Sequence, residues 1–312
     1  WSSRVSFIGN WSYPLCSLIA MGLTPLISAE WNWRVQLLIP AILSLIATAL
    51  AWRYFPESPR WLESRGRYQE AEKVMRSIEE GVIRQTGKPL PPVVIADDGK
   101  APQAVPYSAL LTGVLLKRVI LGSCVLIAMN VVQYTLINWL PTIFMTQGIN
   151  LKDSIVLNTM SMFGAPFGIF IAMLVMDKIP RKTMGVGLLI LIAVLGYIYS
   201  LQTSMLLITL IGFFLITFVY MYVCYASAVS VHAISPTDAT LRGPGLSNAV
   251  GRISGIAAPY AVAVLLSSYG VTGVFILLGA VSIIVAIAIA TIGIETKGVS
   301  VESLSIDAVV NK

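Results

Sequence analysis

Eight stretches of this 312-residue chain run for roughly 20 residues with hardly a charged side chain, the length a helix needs to cross the hydrocarbon core of a bilayer. They lie near 5–28, 35–55, 118–140, 155–176, 183–200, 205–228, 246–268 and 271–294. Lipid offers the backbone no partners, so such segments must be helical. Pro14, Pro40, Pro166 and Pro259 fall inside these runs. Membrane helices tolerate them because neighbouring helices and side chains satisfy the freed backbone groups. Composition excludes the soluble alternative. Charged residues make up 12% of the chain and hydrophobic ones 56%, against about 25% charged in a typical soluble domain. The expected fold is an all-α, multi-pass membrane protein. Cys16, Cys124 and Cys224 all sit in apolar stretches and read as small apolar residues.

Basic residues set the orientation. Ten lie between Arg53 and Lys117, and Lys178, Arg181 and Lys182 fill a short loop on the same face. Arg242 and Lys297 follow on that face, whereas the opposite one holds little besides Arg34 and Lys152. The basic face is therefore expected to be cytoplasmic, with both termini on it. The net charge of +6 is explained by this asymmetry without nucleic acid. The chain begins at Trp1, close to a span and with no cleavable signal pattern, and reads as a piece whose N-terminal portion lies upstream.

The long basic connection divides two spans from six. Tyr68, Ala71, Met75, Ile78 and Val82 recur at helical spacing among charges, so an amphipathic helix packed on the cytoplasmic face is expected. Residues 87–106, rich in Pro, Gly and Asp, read as a loop. The domains expected are 1–62 (two helices), 63–116 (linker), 117–298 (six helices) and 299–312 (cytoplasmic tail). Glu57-Ser58-Pro59-Arg60 after the second span and Glu295-Thr296-Lys297 after the last suggest two related halves.

These segments also carry a family resemblance. Pro56-Glu57-Ser58-Pro59-Arg60-Trp61-Leu62, with Gly66-Arg67 and Glu70-Ala71, resembles the segment after the sixth helix of sugar-porter-like members of the major facilitator superfamily. Asp177-Lys178-Ile179-Pro180-Arg181-Lys182 resembles the superfamily's Asp-Arg-x-Gly-Arg-Arg loop, with Pro180 in place of glycine. Pro236-Thr237 with Arg242-Gly243, and Glu295-Thr296-Lys297-Gly298, resemble two later loops. The resemblance implies that the eight spans are helices five to twelve of a twelve-helix transporter: two from the N-terminal half and a complete C-terminal half. The sugar-reading Gln-Gln-x-x-Gly-x-Asn run is not there. Alignment on Pro141-Thr142-Ile143-Phe144 puts Ala128 and Met129 at the glutamines and Tyr134 at the asparagine. Trp139-Leu140-Pro141 looks more like the metabolite–proton symporter and organic-ion branches.

Candidate substrate contacts follow from polar residues in the spans. Asn130, Tyr134 and Asn138 share one helix face, with Gln133 beside them. Amides facing lipid are costly, so this face should look inward, toward a ligand or toward interhelical hydrogen bonds. Tyr220, Tyr222, Cys224 and Tyr225 could line a cavity. Gly164 and Gly168 form a Gly-x-x-x-Gly pair suited to close helix packing. His232 reads as a loop histidine, with a proton relay as the alternative. Arg252 lies ten residues past Arg242, about 15 Å along a helix. There an arginine costs about 2.5–3.5 kcal/mol unless it has a partner. No acidic residue lies within the spans, so an anionic substrate, an acid in the helices missing upstream, or backbone carbonyls could each supply one. Asn248, one turn earlier, could orient an anion. Resemblance to organic-anion members favours the anion. It also implies a cytoplasmic charge network that gates the transporter, formed by Glu57, Arg60, Asp177, Arg181, Arg242 and Glu295.

The expected function is secondary active transport of a small organic anion or carboxylate, coupled to protons, by a monomer in the inner (plasma) membrane. Sugar or organic-cation transport, or a truncated protein without transport, are the alternatives. No nucleophile–base constellation, metal-ligand cluster or phosphate loop points to an enzyme, a cofactor or ATP hydrolysis.

Overall fold

The computed structural model describes residues 34–87, 113–176, 178–232 and 242–293. They form two units, one within Ile27–Ala101 and one within the Pro102–Lys312 portion. Among the described residues there are nine helices and no strand. The first expected span, 5–28, lies outside these residues.

The smaller unit holds α1 (Arg34–Tyr54), α2 (Pro59–Ser64) and α3 (Tyr68–Thr86). Pro59 opens α2 at a position where its missing N–H costs nothing. Gly66, at φ 75°, makes the turn into α3. There the Arg67 guanidinium grips the Glu70 carboxylate, its Nε donating at 2.8 Å, and this hydrogen bond holds the carboxyl below its usual range. Gly87 closes α3 in the left-handed conformation, its N–H bonded to the Ile83 carbonyl. Of the apolar stripe only Ala71 is buried; Tyr68, Met75, Ile78 and Val82 are exposed. The physical reason is length: α2 has six residues, about 9 Å, and can cover only the first turns of α3.

The larger unit comprises α4 (Gly113–Thr146), α5 (Leu151–Met162), α6 (Gly164–Val175), α7 (Arg181–Ser200), α8 (Met205–His232) and α9 (Arg242–Ile292). Two helix limits differ from the sequence reading. Helix α4 runs past Pro141 to Thr146, six residues beyond the expected end. The expected span 155–176 is two helices that meet at Phe163. Pro166 explains the break, because it has no N–H for the Met162 carbonyl four residues back. The last two expected spans, by contrast, are two helical arms of α9 that meet where the sequence reading leaves a gap, at Gly270 with φ 65° and ψ −160°, a conformation essentially reserved for glycine.

Among the described residues, five stretches are long and apolar enough to cross a membrane: Leu115–Thr146, Leu151–Val175, Arg181–Ser200, Met205–Ala228 and Gly243–Ile292. The last is long enough for two crossings. In this unit α9 packs mainly on α4 and α7, and α8 on α5, α6 and α7. Tyr199 joins three helices, its ring 6.4 Å from that of Phe144 and 5.4 Å from that of Phe275. Gly164 and Gly168 carry the close contact expected of them. A methyl at Gly164 would run into the Phe213 carbonyl oxygen, and one at Gly168 into that of Thr217, so α6 lies directly on the main chain of α8.

Candidate functional site

The polar face of α4 meets the first arm of α9. Along that face Asn130 is buried, Tyr134 half-buried and Asn138 exposed. Asn130 turns its Nδ2 back to the Leu126 carbonyl at 2.8 Å. Opposite stand Ser247, Gly251 and Gly255, spaced four apart and so on one stripe of α9. Ser247, fully buried, donates to the Val119 carbonyl at 3.2 Å. A methyl on Gly251 would come within 2.8 Å of Leu126 Cβ and 3.1 Å of Asn130 Nδ2. One on Gly255 would stand 3.3 Å from Cδ2 and Cε2 of Tyr134.

This close seating delivers Arg252. Its Nη1 donates to the Tyr134 hydroxyl oxygen at 2.7 Å, although the two residues are 118 positions apart. Both Arg252 and Asn248, one turn earlier, are exposed. Among the described residues of this unit the only acidic side chain is Asp153, and it is engaged at the start of α5. There its N–H meets Asn150 Oδ1 at 2.8 Å and its carboxylate takes Asn150 Nδ2 at 2.7 Å. Arg252 therefore has a hydroxyl partner and no carboxylate partner among the described residues. An arginine carries five N–H donors, and the Tyr134 contact occupies one of them. Tyr134, accepting from Arg252, keeps its own O–H to donate.

Gln133 lies on α4 within hydrogen-bonding reach of the buried Tyr220 hydroxyl on α8. Tyr222 is committed elsewhere: its hydroxyl donates to the Val125 carbonyl at 3.1 Å and its ring packs on Tyr225 at 5.6 Å. Cys124 and Cys224 are free thiols, half-buried and buried.

The charge network proposed for the rim is mostly outside the described residues. Asp177 and Glu295 lie there, as do the side chains of Arg60, Arg242 and His232. Glu57 is exposed between α1 and α2, and Arg181 is half-buried at the first turn of α7. Sequence reasoning missed Gly251 and Gly255 as a pair, although their four-residue spacing matches Gly164 and Gly168. It also took Arg118 only as a helix boundary. That residue is buried near the start of α4, its Nε without a hydrogen bond among the described residues.

Residues 3–259 match the family described as Major Facilitator Superfamily. The chain is 97% identical over 312 residues to YdjK of Escherichia coli (strain K12), covering 68% of that protein. It is 43% identical over 307 residues to the inner membrane metabolite transport protein YdjE of the same organism, 98% of this chain and 67% of that one. To the niacin transporter NiaP of Acinetobacter baylyi it is 24% identical over 297 residues, 93% of this chain and 65% of NiaP. Among solved structures, that of the proton:xylose symporter XylE with 6-bromo-6-deoxy-D-glucose superposes with a TM-score of 0.65. The identity is 19%, over 97% of this chain and 66% of XylE, a likeness of fold. The chain thus spans about two thirds of the length of the relatives it matches.

Proposed function

The chain belongs to the major facilitator superfamily, an integral, multi-pass membrane family, and from that premise we propose that it serves secondary active transport of a small organic carboxylate by alternating access. The observation that carries the anion is the pairing of Arg252 with the Tyr134 hydroxyl in the absence of any nearby described acid. A guanidinium in or near a membrane needs a counter-charge, and a carboxylate takes two of its N–H groups at once. Tyr134 adds a third donor, and the exposed Asn248 stands one turn away. Gln133, Asn138 and Tyr220 complete the proposed lining.

Niacin, named for the Acinetobacter relative, is an aromatic carboxylic acid, in keeping with this reading. Sugar transport is the second reading, favoured by the likeness to XylE. Against it stands the apolar pair Ala128 and Met129, buried and half-buried, which offers no side-chain donors for hydroxyls. Proton coupling is part of the proposal. Its carrier lies beyond the described spans, whose one acid is Asp153 at a helix start. A monomer with cytoplasmic termini, gated at a rim formed by Glu57, Arg60, Asp177, Arg181, Arg242 and Glu295, completes it.

The test is uptake of carboxylates, sugars and organic cations by the full-length protein, with Arg252→Lys and Arg252→Ala. Carboxylates should be taken up, and the alanine variant should lose about 10- to 100-fold in apparent affinity, the worth of a charged hydrogen-bond partner. Lysine keeps the charge without the two-pronged geometry and should recover only part of the loss. Uptake confined to sugars or cations, or wild-type affinity in both variants, would reject the carboxylate.

A further inference from the structure

We infer that Gly255, with Gly251 behind it, is a positioning residue that sets how the Arg252 guanidinium meets the Tyr134 hydroxyl. This rests on the reading of that pair as the anion site. Neither glycine touches the proposed ligand; each acts by what it lacks. At Gly255 an added methyl would sit 3.3 Å from both Cδ2 and Cε2 of Tyr134, too tight for the ring to stay where it is. The ring would have to give by a few tenths of an ångström, and the hydroxyl at its tip would move with it. The bond at stake is 2.7 Å long, and hydrogen bonds weaken steeply with misalignment. Gly251 holds the helices at the distance this needs, since a methyl there would meet Leu126 Cβ at 2.8 Å.

Two further features of α9 belong to the same argument. Pro259 has no N–H for the Gly255 carbonyl four residues back, so the helix is loosened at the position that seats the ring. Gly245, on the same helix, has nothing within 4 Å of where its Cβ would be. Glycine is therefore not required at every position of this arm, but it is where α9 faces Asn130 and Tyr134.

A double-mutant cycle in the full-length protein tests this, using Gly255→Ala, Tyr134→Phe and the pair, with Gly245→Ala as the control. One arm measures apparent KM and Vmax for carboxylate uptake. The other measures, by mass spectrometry, the rate at which phenylglyoxal modifies Arg252 without substrate. Gly255→Ala should raise apparent KM about fivefold to tenfold with little change in Vmax, in line with one weakened charged hydrogen bond. It should also speed modification of Arg252. On a Tyr134→Phe background, where the hydroxyl is already gone, it should do neither, and Gly245→Ala should match the wild type. Additive effects in the two backgrounds, or an unchanged modification rate in a well-folded Gly255→Ala protein, would overturn the inference. Should carboxylates prove not to be substrates, the uptake arm rejects the functional reading, while the modification arm still decides whether Gly255 positions Tyr134.

Discussion

Two glycine pairs with the same four-residue spacing fasten helices in the larger unit, and they rest on different surfaces. Gly164 and Gly168 of α6 lie against the carbonyls of Phe213 and Thr217, the main chain of α8. Gly251 and Gly255 of α9 lie against the side chains of Leu126, Asn130 and Tyr134. Main chain in a helix cannot retreat unless the whole helix moves, whereas a side chain can turn aside. The first contact is thus a fixed joint; the second is fixed at Gly251, whose neighbour Leu126 Cβ moves only with the main chain, and adjustable at Gly255, where the Tyr134 ring can turn. Identical sequence signals can therefore serve framework and function, and what separates them is the surface opposite.

The largest effect should come from forcing the fixed joint. Gly168→Val would drive a branched side chain into the Thr217 carbonyl, and overpacking of this kind costs about 1–3 kcal/mol or more. For a unit of this size that lowers the melting midpoint by roughly 5–10 °C, with a matching fall in the yield of monodisperse protein in detergent. A near-wild-type melting curve would erase the distinction between the joints. Gly255→Ala should be milder. Its methyl meets the edge of the Tyr134 ring, which can turn, so the midpoint should fall by about 2–4 °C, equivalent to roughly 1 kcal/mol. Apparent carboxylate affinity should weaken severalfold at normal yield. A loss of fold as severe as in Gly168→Val would show that the second joint is rigid there too. Smallest of all is Gly245→Ala, which meets open space. Uptake should be unchanged and the midpoint level or slightly raised, since alanine favours a helix by up to about 1 kcal/mol over glycine.

Much of this could be read before any coordinates. Apolar length alone located the described spans, because in lipid nothing but a helix satisfies the backbone. The Gly164–Gly168 contact and the shared face of Asn130 and Tyr134 follow from helical periodicity, a local property. Arg252 stood out because a charge at that depth needs an explanation. Its partner was not legible: Tyr134 is 118 residues away, and periodicity says which way a residue faces without saying what it faces. The same limit hid Gly251 and Gly255. Their spacing permits close approach, but only the packing of α9 on α4 shows that the approach bears on Tyr134. The helix limit at Pro141 was missed for the opposite reason: proline ordinarily punctuates a helix, and here α4 spans it without a break. At Gly270 the chain turns where the two expected spans, 246–268 and 271–294, leave their gap.

That turn has a consequence for how the protein is made. Between the arms 242–269 and 271–292 stands a single residue, Gly270, outside the ordinary helical conformation. The machinery that threads a nascent chain into a membrane must normally carry a hydrophilic loop across between paired spans. At this hairpin there is almost none to carry. The two arms can then leave the insertion channel together as a ready-made pair, and their order of entry need not be separately decided. The same economy leaves no room at that bend for a reporter or an epitope tag. Such an insert would have to open the hairpin, whereas the turn at Gln147–Asn150, between α4 and α5, already holds four residues outside any helix.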